Sequence, residues 1–327
     1  MEEGLAWDEE HCSGDVFRQA LLDNYRYART LLENLVSDFR AREALLANDR
    51  VPVSESSYLA RLKPAPVGNA ERPSPTVALF CLGKFRVEVD GRLVDTRTGS
   101  KSLAVLKYLA GRGSRPTPRD LLLEALWPDT DPEAAGNRLR VAVHGLRRHL
   151  PHLGSSLDII TYQDGGYLLN PTGTVWIDAD VFEDLWRQGV RLERLGRSGE
   201  AAQAYSQAEL LYRGDYLEED LYEEWTLLRR EGLRDAYMDL LGKLAASSIA
   251  QGDYGGCIIC CQKILAQDPC REDAYRLLMR CHALTGQRAR ALRWYEICAA
   301  TLRRELEVDP SPETVALHRR LLQGESL

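Results

Sequence analysis

The chain has 327 residues, 44% hydrophobic and 28% charged, a balance that suits globular folding and excludes a disordered or collagen-like polymer. That length exceeds one compact core, so two or three domains are expected. A net charge of −7 argues, as an average, against a nucleic-acid partner, and no apolar run approaches the ~20 residues of a membrane helix.

The acidic start Met1-Glu2-Glu3 lacks the basic region of a signal peptide, which predicts a cytoplasmic protein with no membrane contact. Its eight cysteines are then expected to be reduced thiols. Residues 1–62 read as an N-terminal helical extension, in which Leu21, Tyr25, Ala28, Leu32, Leu35 and Phe39 form a seam. The seam suits either a partner helix or the chain's own next domain. Residues 63–75 are a linker, with four prolines (64, 66, 73, 75) beside Gly68, Asn69 and Ser74.

From residue 76 the pattern changes to two-residue alternation. Val77 to Leu82, then Phe85, Val87 and Val89, an Asp90-Gly91 turn and Leu93 read as strands with a hairpin. Three helices are expected next. Lys101 to Ala110 carries Leu103, Leu106, Leu109 and Ala110 on one face. Thr117-Pro118-Arg119-Asp120 reads as a cap with proline at the first helical position, opening Leu121 to Trp127, and Asp131-Pro132-Glu133 opens a helix running to about Leu150. Ile159 to Tyr162, the turn Gln163-Asp164-Gly165-Gly166 and Tyr167 to Leu169 form a second hairpin. Strands, three helices and a hairpin in that order describe a winged helix, assigned to residues 76–175.

Residues 176–323 read as helical with an internal repeat. Aligning Gly196, Gly252 and Gly286 brings Ala201, Cys257 and Ala291 into register, then Tyr205, Cys261 and Tyr295, then Ala208, Ile264 and Cys298. The last two glycines are 34 apart, the period of tetratricopeptide hairpins, while the first two are 56 apart, so Arg213 to Trp225 is an insertion or lengthened loop. The fold class is therefore mainly α with a small β component: a winged helix-turn-helix plus a tetratricopeptide-like repeat domain behind an N-terminal helical extension.

Charge is distributed unevenly over these parts. Residues 1–75 carry a net −4, residues 76–172 a net +3 and residues 173–327 a net −6. In the third winged-helix helix, Leu139, Val143, Leu146 and Leu150 make the buried stripe, leaving Arg138, Arg140, His144, Arg147 and Arg148 on other faces. Four arginines on a helix also suit a solvated face. Their place, on a capped third helix followed by a glycine-tipped hairpin, instead points to a reader of duplex DNA, with arginine pairing to guanine or holding phosphates.

Leu103-x-x-Leu106, Leu121-Leu-Leu-Glu-Ala-Leu-Trp-Pro128, Asn137-x-Leu-x-x-Ala-Val-x-x-Leu-Arg-Arg-x-Leu150 and Gly166-Tyr167-x-Leu169 resemble the winged-helix effector domain of bacterial response regulators, as found in the Streptomyces antibiotic regulatory protein family. Trp225, Arg229 to Leu233, Asp268-Pro269, Glu272 to Met279, Gly286-Gln-Arg-x-x-Ala-Leu292, Tyr295 and Glu305-Leu306 are similar to the bacterial transcriptional activator domain that follows it there.

The resemblance implies a transcriptional activator binding double-stranded promoter DNA as a homodimer or higher oligomer at direct repeats and recruiting RNA polymerase. It implies base reading by Asn137, Arg138, Arg140, His144, Arg147 and Arg148, and a polymerase-contact loop at Trp127, Asp129, Thr130 and Asp131. The wing tip Gln163 to Gly166 has no arginine or lysine, which speaks against a minor-groove contact there. The segment before the linker is shorter than a receiver domain, so nothing supports control by phosphorylation.

No catalytic motif, cofactor or metal is expected. Cys257-x-x-Cys260-Cys261 falls on repeat positions that packing already explains. His144, His149 and His152 lack ligand spacing, and neither a phosphate-binding glycine loop nor a nucleophile elbow occurs. The six acids of 215–225, with Tyr216, Tyr222 and Trp225 interleaved, suit a solvated turn or a cationic partner in the repeat groove, while the family resemblance implies an aromatic segment that closes the bundle. The rival class is a non-enzymatic helical-repeat adaptor whose winged helix binds protein.

Overall fold

In a computed structural model, the structure describes residues 77–94, 100–113, 116–150, 159–169 and 175–325. These belong to one compact unit, Pro64–Leu327. The expected N-terminal extension, linker and His152 lie outside the described residues.

The chain enters on β1 (Val77–Phe80), β2 (Arg86–Val89) and β3 (Arg92–Leu93), antiparallel neighbours in a four-stranded sheet. Asp90 and Gly91 both take positive φ (50° and 75°), the tight-turn geometry that Asp-Gly favours. Helices α1 (Ser100–Arg112), α2 (Arg119–Leu126) and α3 (Pro132–His149) follow, with the short strand β4 (Thr117–Pro118) before α2. Strands β5 (Ile160–Gln163) and β6 (Gly166–Leu169) form the wing, β6 lying between β4 and β5.

Two local expectations are corrected. Thr117 does not cap α2: it pairs with Tyr167 across β4 and β6, and Pro118 holds the N-cap position with no side-chain bond. A final strand, β7 (Val175–Ile177), was not expected; it lies parallel to β1 and pairs Val77 with Val175 and Leu79 with Ile177. The β4–β6 approach is close, for a Cβ at Gly166 would lie 2.9 Å from the Thr117 carbonyl oxygen.

From β7 the chain passes directly into helical hairpins: α4 (Asp178–Arg194) with α5 (Ser198–Leu211), α6 (Glu224–Ala250) with α7 (Tyr254–Gln267), and α8 (Glu272–Leu284) with α9 (Arg288–Leu306). Helix α10 (Pro312–Gln323) closes the stack. The three aligned glycines explain the repeat, because Gly196, Gly252 and Gly286 all sit just after a helix at φ 72°, 74° and 77°, where a Cβ is strained. Ala201, Cys257 and Ala291, five residues on, are fully buried where the helices of each hairpin meet. Gly189 plays a similar part on α4, since a Cβ there would lie 2.3 Å from Tyr205 Cε1 on α5.

The loop between α5 and α6 is solvated on one side only, with Glu219, Leu221 and Tyr222 exposed. Tyr216 and Leu217 are buried, Leu82 bridges to Tyr216, and the Leu217 N–H donates to the Cys81 carbonyl at 2.8 Å. Buried Arg230 donates to the carbonyls of Tyr216, Leu217 and Asp220, so one guanidinium satisfies the loop's inward oxygens. Three side chains fasten this part to α1. Lys107 pairs with Asp220 at 2.5 Å, Arg229 donates to the Gly111 carbonyl and to Asp180, and Tyr108 lies 5.1 Å from Trp225. At the same junction the buried Asp178 carboxylate accepts from the N–H groups of Cys81, Leu82 and Ala179.

Candidate nucleic-acid interface

Helix α3 starts where Asp131 accepts from the N–H groups of Glu133 (3.1 Å) and Ala134 (3.2 Å), with Pro132 pre-set for the first turn. Leu139, Val143, Leu146 and Leu150 are buried, and the helix packs on α1 and α2. Each fully buried leucine contributes about 2 kcal/mol, which fixes the rotation of the helix about its axis. That rotation turns Asn137, Arg138, Arg140, Val141, His144 and Arg148 outward, all exposed.

The six residues expected to read DNA are not equivalent. Arg140 donates to Asn137 Oδ1 at 2.6 Å, holding the amide in place, and Arg138 donates to Thr130 Oγ1 at 3.1 Å. His144 and Arg148 project from the same outer surface. Among the described residues, Arg138, Arg140 and Arg148 form no ion pair with a carboxylate. Arg147 departs from the expectation. Half-buried, it donates from both Nε (3.2 Å) and Nη2 (2.8 Å) to the Ile160 carbonyl, clamping α3 to the first wing strand.

Two further residues were not anticipated from the sequence. Arg119, on the first turn of α2, lies across the start of α3, where a Cβ at Gly136 would come within 1.9 Å of its Nη2. Val141 is 72% exposed within the polar face. Helical periodicity alone carried that signal, because position 141 lies opposite the 139/143 stripe.

The loop expected to meet polymerase is partly committed to folding. Trp127 is 7% exposed beneath Lys101, whose ammonium donates to the Leu126 carbonyl at 2.7 Å and so caps α2. Asp131 caps α3 yet stays exposed, as do Pro128 and Asp129, with Thr130 partly so. The wing tip exposes Tyr162, Gln163, Asp164 and Gly165, none of them cationic.

Among the described residues, no group of three or more His, Cys, Asp or Glu side chains could hold a metal ion. Cys257 is buried 3.9 Å from Cys261, Sγ to Sγ, and hydrogen bonding with Cys261 pushes its thiol up to about 12, away from the thiolate form. No helix among the described residues is long and apolar enough to cross a membrane.

This fold and the exposed basic face of α3 define a winged-helix transcriptional regulator with a helical-repeat domain. Residues 95–169 match the C-terminal domain of transcriptional regulatory proteins and residues 177–322 the bacterial transcriptional activator domain. The chain is 26% identical over 243 residues to the transcriptional regulatory protein MoaR1 of Mycobacterium tuberculosis, covering 74% of this chain and 78% of MoaR1. It is 26% identical to the regulatory protein DnrI of Streptomyces peucetius, covering 70% of this chain and 86% of DnrI. The solved structure of Mycobacterium tuberculosis EmbR in complex with a low affinity phosphopeptide superposes with a TM-score of 0.63 at 26% identity, over 77% of this chain and 66% of that one. These two domains in this order, together with the similarity to MoaR1 and DnrI, make the chain similar to regulators of the Streptomyces antibiotic regulatory protein type.

Proposed function

We propose that the protein is a cytoplasmic transcriptional activator that reads double-stranded promoter DNA with α3 and recruits RNA polymerase. The observation that carries this reading is the outward face of α3, where Asn137, Arg138, Arg140, His144 and Arg148 are exposed and, among the described residues, three of the arginines have no carboxylate partner. An α-helix fits the major groove, where guanidinium groups meet guanine edges and phosphates. Arg147 acts one step back, holding the wing against α3.

In this proposal copies bind side by side at direct repeats, and polymerase meets the exposed segment 128–131 rather than the buried Trp127. The test is promoter binding by the full chain at increasing salt. Affinity falls steeply with salt, and neutralising Arg138, Arg140 and Arg148 together flattens the dependence by roughly 0.9 for each phosphate no longer neutralised. Salt-independent binding, or a triple variant indistinguishable from the parent, leaves the adaptor reading in place. For polymerase, Asp129→Ala lowers transcription from a saturated promoter at unchanged DNA affinity.

A further inference from the structure

We propose that Val141 is a specificity-determining residue that packs its isopropyl group against the 5-methyl of one thymine in each recognition element. The inference rests on α3 being the DNA reader and adds to it the identity of one base. Val141 is 72% exposed, the single large apolar side chain on the outward face of a helix whose other leucines and valines are buried. Asn137 stands one turn before it, His144 one turn after and Arg148 two turns after, with Arg140 beside it, so it lies within the polar surface.

On that surface valine brings no fold stability. At 72% exposure it buries little, and it forms helix less readily than alanine. It does bring rigidity, because a β-branched side chain in a helix has one dominant rotamer and presents its methyls in a fixed direction. The neighbouring side chains supply hydrogen bonds to base edges and charge for phosphates. The apolar feature that the four bases place on the major-groove edge is the thymine methyl, which has no polar complement. A rigid isopropyl flanked by cations without carboxylate partners fits that methyl. A protein surface docking there would have to meet those arginines as well.

The experiment uses the full chain and a duplex selected from a random library. Each thymine of the selected site is replaced singly by deoxyuridine, which removes the methyl and leaves base pairing intact, and affinity is measured for the parent and for Val141→Ala. One thymine per element is expected where deoxyuridine weakens the parent about fourfold, the worth of one buried methyl. The same replacement changes the affinity of Val141→Ala by less than about 1.5-fold. Because Val141 is exposed, the variant keeps the parent's melting temperature, which separates a weakened interface from a weakened fold. If no thymine behaves this way while salt-dependent, sequence-selective binding persists, the role given to Val141 is overturned. If the parent shows no sequence-selective duplex binding at all, the reading of α3 falls and this inference with it.

Discussion

Asp220→Asn tests how the winged helix is held to the repeats. Lys107 on α1 has a side chain only 6% exposed, and its ammonium is 2.5 Å from Asp220 Oδ2 and 5.2 Å from the centre of the Phe85 ring. An asparagine at 220 retains a hydrogen-bond acceptor but removes the countercharge, leaving a cation that water reaches poorly. Stranding one member of a buried pair costs about 3–5 kcal/mol, and the 22% exposure of Asp220 puts this pair at the lower end, about 3 kcal/mol. Replacing both partners, as Lys107→Met with Asp220→Leu, removes charge and countercharge together and recovers most of that loss. Urea denaturation followed by tryptophan fluorescence reads the effect, because Trp225 on α6 packs against Tyr108 on α1 across the same junction. With a slope of about 3 kcal/mol per molar urea, the single variant unfolds about 1 M earlier. A single variant within about 0.5 kcal/mol of the parent, or a double variant as unstable as the sum of its parts, would refute the assignment of the pair as a buried clasp.

Arg147→Ala weakens promoter binding but leaves the salt slope near that of the parent, because the side chain holds the wing; Arg148→Ala reduces the slope by about 0.9. Titrating both variants at several salt concentrations distinguishes them. Gly189→Ala lowers stability by about 1–3 kcal/mol in thermal or chemical melts, since the added methyl overlaps the Tyr205 ring. Burial pushes Asp178 up from 3.8 to about 6, against the pull of its three backbone N–H donors. The folded state therefore takes up this proton before the unfolded chain does. The group's contribution to stability is fully present below about pH 4 and is lost as pH rises through about 6, a change of about 3 kcal/mol. Asp178→Asn cannot titrate there, so the stability of the parent minus that of the variant falls between about pH 4 and 7, and parallel curves would exclude the effect.

Local chemistry in the sequence announced much of this architecture. Asp131-Pro132 marks a helix start because its oxygen and ring satisfy the geometry of the first turn, and Gly196, Gly252 and Gly286 mark helix ends because each takes positive φ. The helical positions of 139, 143, 146 and 150 were enough to find the buried side of α3, and the same arithmetic places Val141 opposite. What escaped depends on residues distant in sequence. Val175-Trp176-Ile177 is too short to show alternation and becomes a strand by lying beside β1, 98 positions away at the Val77–Val175 pair. Thr117-Pro118 looks like a cap until Tyr167 pairs with it, and Asp220 looks like its solvated acidic neighbours until Lys107 claims it. Arg147 differs from Arg148 because one helical step brings its guanidinium beneath a wing carbonyl that the sequence does not locate.

Ile177 ends β7 and is also the N-cap residue of α4, so no spacer separates the sheet from the first repeat helix. The helical stack accordingly has a set bearing relative to the proposed reading helix, like a rudder fixed to its keel. Two copies seated on successive turns of one duplex face would carry their stacks in the same direction and at the same pitch. Lengthening the spacing between their sites by half a helical turn would swing one stack to the opposite side of the DNA, with no linker to take up the rotation.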